Sequence, residues 1–374
     1  MLLKYSVFLL LLLANLTATN AQSVKAARQR WTEQQANEWY ATQPFLAGAN
    51  FLPSTAINQL EMWQAETFDT ATIARELMWA SNIGMNTMRV FLHDLAYQQD
   101  PAGFKKRINI FLKICARYGI KPMFVLFDSC WDPFPQAGKQ HEPAPYLHNS
   151  GWVQGPGADV LKDEKQQPRL KKYVIDIVSH FKSDKRILGW DVWNEPDNPN
   201  SSSYGRFEPY NKLDLVHKLL SQVFIWTRQA QPTQPITAGI WIGNWSSHDS
   251  LRPIEKLMVE ESDVVSFHNY DNGAEFEKRI VQLQRYKRPL LCTEYMSRGN
   301  GSTFEGSMPV AKKYKVAAYN WGLVSGKSQT IFPWDSWQIK YTAEPALWFH
   351  DIFRPNGTPF KQAETDLIKS LMGK

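Results

Sequence analysis

Residues 189–196 have the sequence GWDVWNEP, in which an apolar run breaks at Asn194 and Glu195 and is followed by proline. This pattern is typical of a buried strand that ends in a loop. A charge inside a buried strand is costly, so a carboxylate at the end of such a strand is expected at the open end of the structure that the strands form. The sequence PLLCTEY at 289–295 ends in the same way on Glu294. Taken alone, Asn-Glu-Pro is also compatible with a simple strand exit, because Asn caps helices and Pro favours turns.

The strand with a polar end recurs about eight times along the chain and alternates with segments of helical periodicity. Most of the runs are continuously apolar, which is typical of strands in a parallel sheet covered on both faces. Eight strands, each followed by a helix, predict an α/β fold: one (β/α)8 TIM barrel. The predicted strands cover residues 45–51, 87–92, 122–127, 187–193, 236–242, 264–267, 290–293 and 330–333.

The helical segments carry recognisable starts and stops. One follows the capping residue Asp69, another has apolar residues at helical spacing over 108–115, and a longer one covers 215–223. Gly84 and Gly119 follow the first two helices, each one apolar residue before the next strand. A glycine in that position is a common helix stop, so both segments fit strand-helix units of a barrel.

A doubly wound open sheet is the competing architecture. Its nucleotide-binding fingerprint, G-x-G-x-x-G after the first strand, is missing from the sequence at 48–51, which favours the barrel. Before the first strand lies an N-terminal extension, in which Trp31, Trp39 and Tyr40 are expected to pack under the barrel. The long loop after the third strand, 129–167, is rich in Pro, Gly, His and Trp and is expected to form a cleft wall.

The first 21 residues carry Lys4, an apolar run at 7–13 and small polar residues at their end. This is the pattern of a cleaved signal peptide, and the run is too short for a membrane span. We therefore expect a mature barrel domain at 22–374, secreted or periplasmic and without a membrane span. We also expect a monomer.

Charge and cysteine content exclude several function classes. The net charge of +6 is dispersed along the chain, which argues against a nucleic-acid partner. The odd count of three cysteines predicts no disulfide framework, and no Cys/His spacing of the zinc type is present. Cys115 and Cys292 fit buried positions, whereas Cys130 follows a strand and could line a cleft or form a bridge to one of the other two after export. No metal and no other cofactor is expected.

Polar and aromatic residues gather at the predicted strand ends, and in a barrel the C-terminal strand ends all face one bowl. Two carboxylates are the minimal equipment for cleaving a glycosidic bond, and flat aromatic rings match the C–H face of a pyranose. The sequence therefore predicts a sugar site. In chain order the bowl residues are Asn50, Arg89, His93, Asp128, Trp131, Asn194, Glu195, Trp241, Trp245, His268, Tyr270, Glu294 and Trp334.

Structural roles stay open for several of these residues. In a purely structural role, Arg89 would form only an ion pair, and Asp128 and His93 would only form hydrogen bonds to loops. The bowl tryptophans other than Trp334, namely Trp131, Trp241 and Trp245, would pack at the rim or in the core instead of carrying sugar rings.

As a set, these motifs resemble the clan A retaining β-glycosidases. The set comprises Asn-Glu-Pro ending the fourth strand, Glu294 ending the seventh, NTMRV at 86–90 on the second, His-Asn-Tyr at 268–270 on the sixth, and Trp334 on the eighth. The resemblance covers nearly all of the mature chain. It is strongest to family 5 cellulases and mannanases and to the barrel domains of family 2 enzymes. The paired histidines of many family 5 members after the third strand are replaced by FDSCW, and no β-sandwich of family 2 is found.

The resemblance implies roles for the matching positions. Glu195 would be the general acid/base, Glu294 the nucleophile, and Asn194 would bond the sugar 2-hydroxyl. A cation beside one carboxylate lowers its pKa, while the other carboxyl, near aromatic walls, can stay protonated as an acid.

The supporting residues follow from the same resemblance. Arg89 and Tyr270 would hold Glu294 ionised and oriented, and His268 would lie near the acid/base. Trp334 would form the floor of the −1 subsite, where the sugar ring that is attacked lies.

The expected activity is that of a secreted retaining β-glycosidase that hydrolyses an oligo- or polysaccharide by double displacement. Endo action on a β-1,4-linked glucan, mannan or xylan is the first expectation. An exo-acting or transglycosylating enzyme for short oligosaccharides is the alternative, favoured if the loop after the third strand closes one end of the cleft. A barrel that binds sugar without cutting it is the non-enzyme hypothesis.

Overall fold

The computed structural model describes residues 27–374, so the predicted signal peptide lies outside the described residues. Eight parallel strands lie side by side in the order β5-β4-β3-β2-β1-β8-β7-β6. The remaining seam, between β5 and β6, is closed by a parallel bridge from Ile240 to Phe267. The predicted (β/α)8 barrel is confirmed. The strands are β1 Ala47–Asn50, β2 Thr87–Phe91, β3 Lys121–Val125, β4 Gly189–Asp191, β5 Ile236–Thr237, β6 Val265–His268, β7 Leu290–Tyr295 and β8 Ala317–Trp321.

Helices surround the barrel in the usual alternation, and the described residues contain twelve α-helices. Eight of them, α3, α5 and α7 to α12, each follow one strand, while α1 precedes the barrel and α2, α4 and α6 lie in loops on its C-terminal side. Between residues 27 and 374, no helix has the length and apolar character that crossing a membrane requires. The helices are α1 Glu33–Ala41, α2 Gln59–Trp63, α3 Thr70–Asn82, α4 Asp94–Gln99, α5 Pro101–Arg117, α6 Ala158–Lys162, α7 Gln167–Phe181, α8 Lys212–Gln229, α9 Pro253–Glu261, α10 Gly273–Leu283, α11 Phe304–Lys313 and α12 Gln362–Met372.

The predicted helix signals are confirmed. The Asp69 carboxylate accepts hydrogen bonds from the backbone N–H groups of Ala71 and Thr72 at the start of α3. Gly84 and Gly119 have φ angles of +92° and +69°, a left-handed conformation that glycine adopts without steric cost. Each glycine therefore ends a helix and turns the chain into the next strand.

The N-terminal extension closes the barrel floor, as predicted. Trp31, Trp39 and Tyr40 pack against buried residues at or near the N-terminal ends of the strands, among them Leu46 and Leu291. Because this end is filled with apolar side chains, the bowl at the opposite end is the open face of the barrel.

The predicted eighth strand at 330–333 is wrong. Those residues form a turn in the loop after β8, and β8 itself runs from Ala317 to Trp321 between β1 and β7. Its sequence AAYNW is rich in small and polar residues, so it lacks the continuous apolar run by which the other strands were found. Trp334 consequently lies on a short 3-10 helix in the loop after β8 and not on a strand.

Candidate active site

The two predicted carboxylates meet in the bowl. Glu195 lies in the loop that follows β4, and Glu294 lies near the end of β7; their residues are 6% and 5% exposed. A carboxylate oxygen of each and a ring nitrogen of His268 lie within 4.8 Å of one another. That proximity fits the separation of about 5–5.5 Å in retaining glycosidases and not the separation of about 6.5–9.5 Å in inverting ones.

Glu195 is placed by a strained backbone. Its φ of +42° is left-handed, which is uncommon for a residue with a side chain and persists only where the surroundings hold it. The backbone N–H of Asn194, the preceding residue, donates to the Phe127 carbonyl at 2.8 Å. This left-handed conformation turns the Glu195 side chain into the bowl a few residues after β4 ends.

Glu294 is held by two donors. The Arg89 guanidinium donates to Oε1 at 2.8 Å, and the Tyr270 hydroxyl donates to Oε2 at 2.7 Å. Both oxygens therefore have fixed partners, and the carboxylate cannot rotate freely. A carboxylate that is held in place beside a cation is suited to act as a nucleophile through one of its ionised oxygens.

Arg89 is the centre of a buried network. It is fully buried and forms an ion pair with Asp191 at 2.7 Å. Its remaining N–H groups donate to the side-chain oxygens of Asn194 at 2.7 Å and Asn50 at 2.9 Å. The network binds β1, β2, β4 and β7 together directly beneath Glu294.

Glu195 has a different set of partners. The Nδ1 atom of His268 lies 2.8 Å from Oε1, while Asn198 donates to Oε2 at 2.6 Å. The Cys130 thiol donates to the same Oε2 at 3.1 Å. None of these three groups is a fixed cation, because burial lowers the pKa of His268 to about 4.

Burial raises the pKa of both glutamates. At Glu294, His268, Arg89 and Tyr270 oppose the rise, but burial and the nearby Glu195 outweigh them. The Arg89 cation lowers the pKa of Glu294, as expected, but it does not reverse the rise that burial causes. The asymmetry between the two sites is in their partners: Glu294 bonds a guanidinium, and Glu195 bonds uncharged groups.

The cleft above these residues has a volume of about 200 Å³. Seven of the predicted site residues line it. Asn50, Arg89 and His268 lie behind those seven and support them through the hydrogen bonds described above. The predicted lining residues are Trp131, Asn194, Glu195, Trp241, Tyr270, Glu294 and Trp334.

Three predicted bowl residues do not line this cleft. The His93 ring accepts a hydrogen bond from the Leu95 N–H at 3.1 Å and caps α4. Asp128 is buried behind Asn194, whose amide donates to it at 2.9 Å. Trp245 is 2% exposed and packs on Phe267 in the core. The structure thus places each of them in a supporting or packing position.

The structure adds lining residues that the sequence had not assigned to the site. Trp321 ends β8 and was missed together with that strand. His148 and Asn149 come from the long loop after β3, and Asn198 from the loop after β4. Cys130, whose position after a strand had suggested a cleft, lies beside Glu195. Loop residues of this kind have no periodic signal in one sequence.

The loops after β3, β4 and β8 join into one wall, which we call the closing wall. Trp337 stacks on Trp131 with ring centroids 5.6 Å apart, and its indole N–H donates to the His148 carbonyl at 2.8 Å. The side chain of Gln338 donates to the backbone oxygen of Ser202. The loop after β3 is therefore a cleft wall, as its composition predicted.

Glu195, His268 and Glu294 also have the donor types of a metal site. Each of the four carboxylate oxygens, however, already has a hydrogen-bond partner in the protein. The Arg89 guanidinium, 2.8 Å from Glu294, opposes a second cation by charge repulsion. These contacts fit a hydrogen-bonded acid pair better than a set of free ligands.

The fold and the paired carboxylates define a glycoside hydrolase. A family model described as Cellulase (glycosyl hydrolase family 5) matches residues 48–337, more than half of the chain. The chain belongs to glycosyl hydrolase family 5, and the predicted resemblance to family 5 is confirmed. No curated protein matches the chain at a significant level.

Solved structures of similar fold come from several organisms. A variant of GH5_18 from Streptomyces cattleya, in complex with Manβ1-4GlcNAc, is 12% identical over 87% of this chain and 80% of that chain, with a TM-score of 0.58. The endo-1,4-β-mannanase of Rhizomucor miehei is 12% identical over 93% and 99%, with a TM-score of 0.57. The exo-β-1,4-mannosidase of Opitutaceae bacterium strain TAV5 is 17% identical over 87% of this chain, with a TM-score of 0.56; the chain spans 59% of that protein.

Proposed function

We propose that this chain is a secreted retaining β-glycosidase that releases sugars from a β-linked glycan by double displacement. One observation carries the proposal: two buried carboxylates within 4.8 Å, one bonded to a guanidinium and the other to uncharged donors. This arrangement separates an anion that can attack from a carboxyl group that can deliver a proton.

In the first step, protonated Glu195 gives its proton to the glycosidic oxygen. A carboxylate oxygen of Glu294 forms a bond to the anomeric carbon as the bond to the leaving oxygen breaks. Arg89 and Tyr270 keep the attacking carboxylate in position, which lowers the entropic cost of the attack. The products are a glycosyl-enzyme ester, a free leaving alcohol and an ionised Glu195.

In the second step, ionised Glu195 takes a proton from water. The resulting hydroxide bonds to the anomeric carbon, and the bond to Glu294 breaks. Glu195 is protonated again, and the sugar leaves with its original β-configuration. The two steps need only Glu195, Glu294, their supporting residues and one water molecule.

The closing wall supports action at a chain end over cleavage inside a polymer. The wall covers the side of the bowl formed by the loops after β3, β4 and β8, whereas Trp241 lines the cleft on the β5 side and is only half-buried. We place the leaving group toward Trp241 and the attacked sugar against the wall. A cleft of about 200 Å³, below the roughly 300–1,000 Å³ of most small-molecule sites, then has room for few sugar units beyond the cut.

Endo action on a β-1,4-glucan, mannan or xylan is the second candidate. The neighbours that are named mannanases and a mannosidase direct the first assays to β-mannosides. Purified protein is offered mannan, glucan and xylan polymers, their short oligosaccharides and aryl β-glycosides, and products are resolved over time. Release of one small sugar from the outset supports chain-end action, whereas a ladder of oligosaccharides with a rapid fall in viscosity supports endo action.

Configuration and export complete the test. Proton NMR at early times distinguishes the β-anomer that double displacement gives from the α-anomer of single displacement. Cell fractionation of the native host checks secretion. Formation of the α-anomer first would overturn the retaining mechanism.

A further inference from the structure

Two adjacent residues of the closing wall hold polar atoms that have no hydrogen-bond partner among residues 27–374. His148 and Asn149 both line the cleft, and each is 1% exposed. The Nε2 atom of His148 and both side-chain atoms of Asn149 are buried and unpaired. Leaving a buried polar group unpaired is costly, so three such atoms together point to a ligand that supplies the missing partners.

The free atom of His148 is a hydrogen-bond acceptor. Its other ring nitrogen, Nδ1, lies 2.7 Å from the Phe332 carbonyl, which can only accept, so Nδ1 carries the proton. Burial lowers the pKa of His148 to about 4, which keeps the ring neutral above that pH. Nε2 therefore presents a lone pair. A tilted contact with the Trp131 ring, with centroids 5.3 Å apart, helps to hold the His148 ring in place.

The side chain of Asn149 presents a donor and an acceptor together. Its backbone has a φ of +47° and its N–H donates to the Ser328 carbonyl at 2.9 Å, so the loop after β8 holds it in place. Asparagine tolerates this left-handed conformation better than most residues. The amide thus has a fixed backbone and two unsatisfied ends.

We infer that His148 and Asn149 form a subsite that binds adjacent hydroxyl groups of an uncharged pyranose. One hydroxyl donates to Nε2 of His148, and its neighbour accepts from and donates to the Asn149 amide. Among the described residues that line the cleft there is no Arg or Lys, so the subsite offers no cation to a uronic acid. It selects neutral sugars.

This inference rests on the proposed function, because the subsite binds the sugar that Glu294 attacks. It lies in the closing wall, on the side where that sugar is placed. A site built to hydrogen-bond hydroxyl groups rejects a substrate that lacks them, because its own polar atoms then stay unpaired. Specificity is therefore set by the loop after β3.

The test compares deoxygenated substrates with variants. Wild-type protein hydrolyses the preferred aryl β-glycoside and its 3-, 4- and 6-deoxy forms. We expect kcat/KM to fall about 10- to 100-fold for two adjacent positions. Asn149→Gly fits the left-handed backbone, and His148→Asn keeps a donor toward the Phe332 carbonyl. In each variant, the loss of kcat/KM on these two deoxy substrates should shrink to a few-fold. Unchanged losses in both variants would overturn the subsite.

Ser307→Ala is the control. Ser307 is also buried and its side-chain oxygen has no partner among the described residues, but it lies on α11 and does not line the cleft. This variant should lose as much kcat/KM on each deoxy substrate as the wild type does, even if its melting temperature changes. Smaller losses in Ser307→Ala would make the effect a general one of packing and would also overturn the proposal.

A binding experiment distinguishes failure of this inference from failure of the proposed function. β-1,4-Mannobiose and cellobiose are titrated calorimetrically into Glu294→Gln, with and without Asn149→Gly, so no turnover is needed. At least about tenfold weaker binding of one disaccharide with Asn149→Gly supports the subsite. If the wild type hydrolyses no β-glycoside while this difference persists, the proposed function fails and the subsite stands. Equal binding overturns the subsite.

Discussion

The thiol sulfur of Cys130 lies 3.1 Å from Oε2 of Glu195. Burial raises the pKa of the thiol well above its usual value, so it stays protonated and donates. Asn198 donates to the same oxygen at 2.6 Å. Both hydrogen bonds favour the ionised form of Glu195 and oppose the rise of its pKa that burial causes.

Cys130→Ala is expected to move the alkaline limb of the pH profile of kcat/KM to higher pH. The general acid works only while Glu195 is protonated, and the loss of a donor to its ionised form raises its pKa. Cys130→Ser keeps a donor and should keep the limb near that of wild type. The measurement is kcat/KM from pH 4 to pH 9 on an aryl glycoside. Identical limbs in all three proteins would show that the thiol only fills space.

The two tryptophans of the β8 region should behave differently on truncation. Trp321 packs against Phe91 and Trp152, so Trp321→Ala should cost about 3–5 kcal/mol of stability as well as activity. Trp334 is half-buried and forms edge contacts with Tyr270, with ring centroids 4.9 Å apart. Trp334→Ala should lower kcat/KM about 100-fold with a small loss of melting temperature. Paired kinetics and melting curves test both; a large melting loss for Trp334→Ala would make it structural.

The sequence could predict the parts of the barrel that repeat. Seven of the eight strands were found from their apolar runs, and Glu195 and Glu294 were visible because a charge stands out where such a run ends. β8 was missed because AAYNW contacts neighbours through small and polar residues, including fully buried Asn320. Its burial depends on its strand neighbours and not on its own hydrophobicity.

The cleft walls could not be predicted in the same way. The contact between Trp131 and Trp337 joins residues more than two hundred positions apart, and no local pattern encodes that distance. Asp191 had a local signal, a carboxylate within the apolar run before Asn194. Only the side-by-side arrangement of the strands shows that Asp191 is the buried partner of Arg89.

Chelation should leave activity unchanged. The carboxylate oxygens of Glu195 and Glu294 already have protein donors, and the Arg89 cation lies 2.8 Å from Glu294. Acid, nucleophile and base are all supplied by the two glutamates. Activity is measured after dialysis against a strong chelator and again after adding back single divalent ions. A loss that one ion restores would mean that the Glu195, His268 and Glu294 group holds a metal.

Glu76→Gln is expected to stabilise the protein at pH 8 but not at pH 4. Burial raises the pKa of Glu76 to about 7, so the folded state binds a proton more tightly than the unfolded state. Stability from this group is complete below the unfolded value near 4.5 and is lost as the pH rises to about 7. Gln cannot ionise, so the variant should gain up to about 3 kcal/mol at pH 8.

Melting temperatures at pH 4, 6 and 8 measure the effect of Glu76→Gln. Exposed Glu66 provides the control, because Glu66→Gln removes the same charge at the surface. An equal change in both variants would attribute the effect to net charge. A loss at pH 8 in Glu76→Gln would mean that the hydrogen bonds from Ser54 need the carboxylate.

Azide is expected to assign the two glutamates. Glu195→Ala should be crippled on natural glycans but should still form the glycosyl-enzyme from an aryl glycoside whose leaving group needs no proton. Its second step then lacks a base, and azide, which needs no deprotonation, should restore turnover and give the β-glycosyl azide. Glu294→Ala cannot form the covalent intermediate, and kcat should fall at least about 10⁴-fold. Azide in the vacated space should give the α-azide.

The configuration of each azide, read by NMR, decides between mechanisms. Asp128→Ala is the control, because Asp128 is buried behind Asn194 and its carboxylate does not line the cleft. That variant should lose activity through a displaced Asn194 and should not be rescued by azide. Two azides of the same configuration would contradict the assignment of Glu195 and Glu294. Rescue of Asp128→Ala would instead make Asp128 one of the reacting carboxylates, since azide restores turnover only where it replaces a group that acts on the substrate.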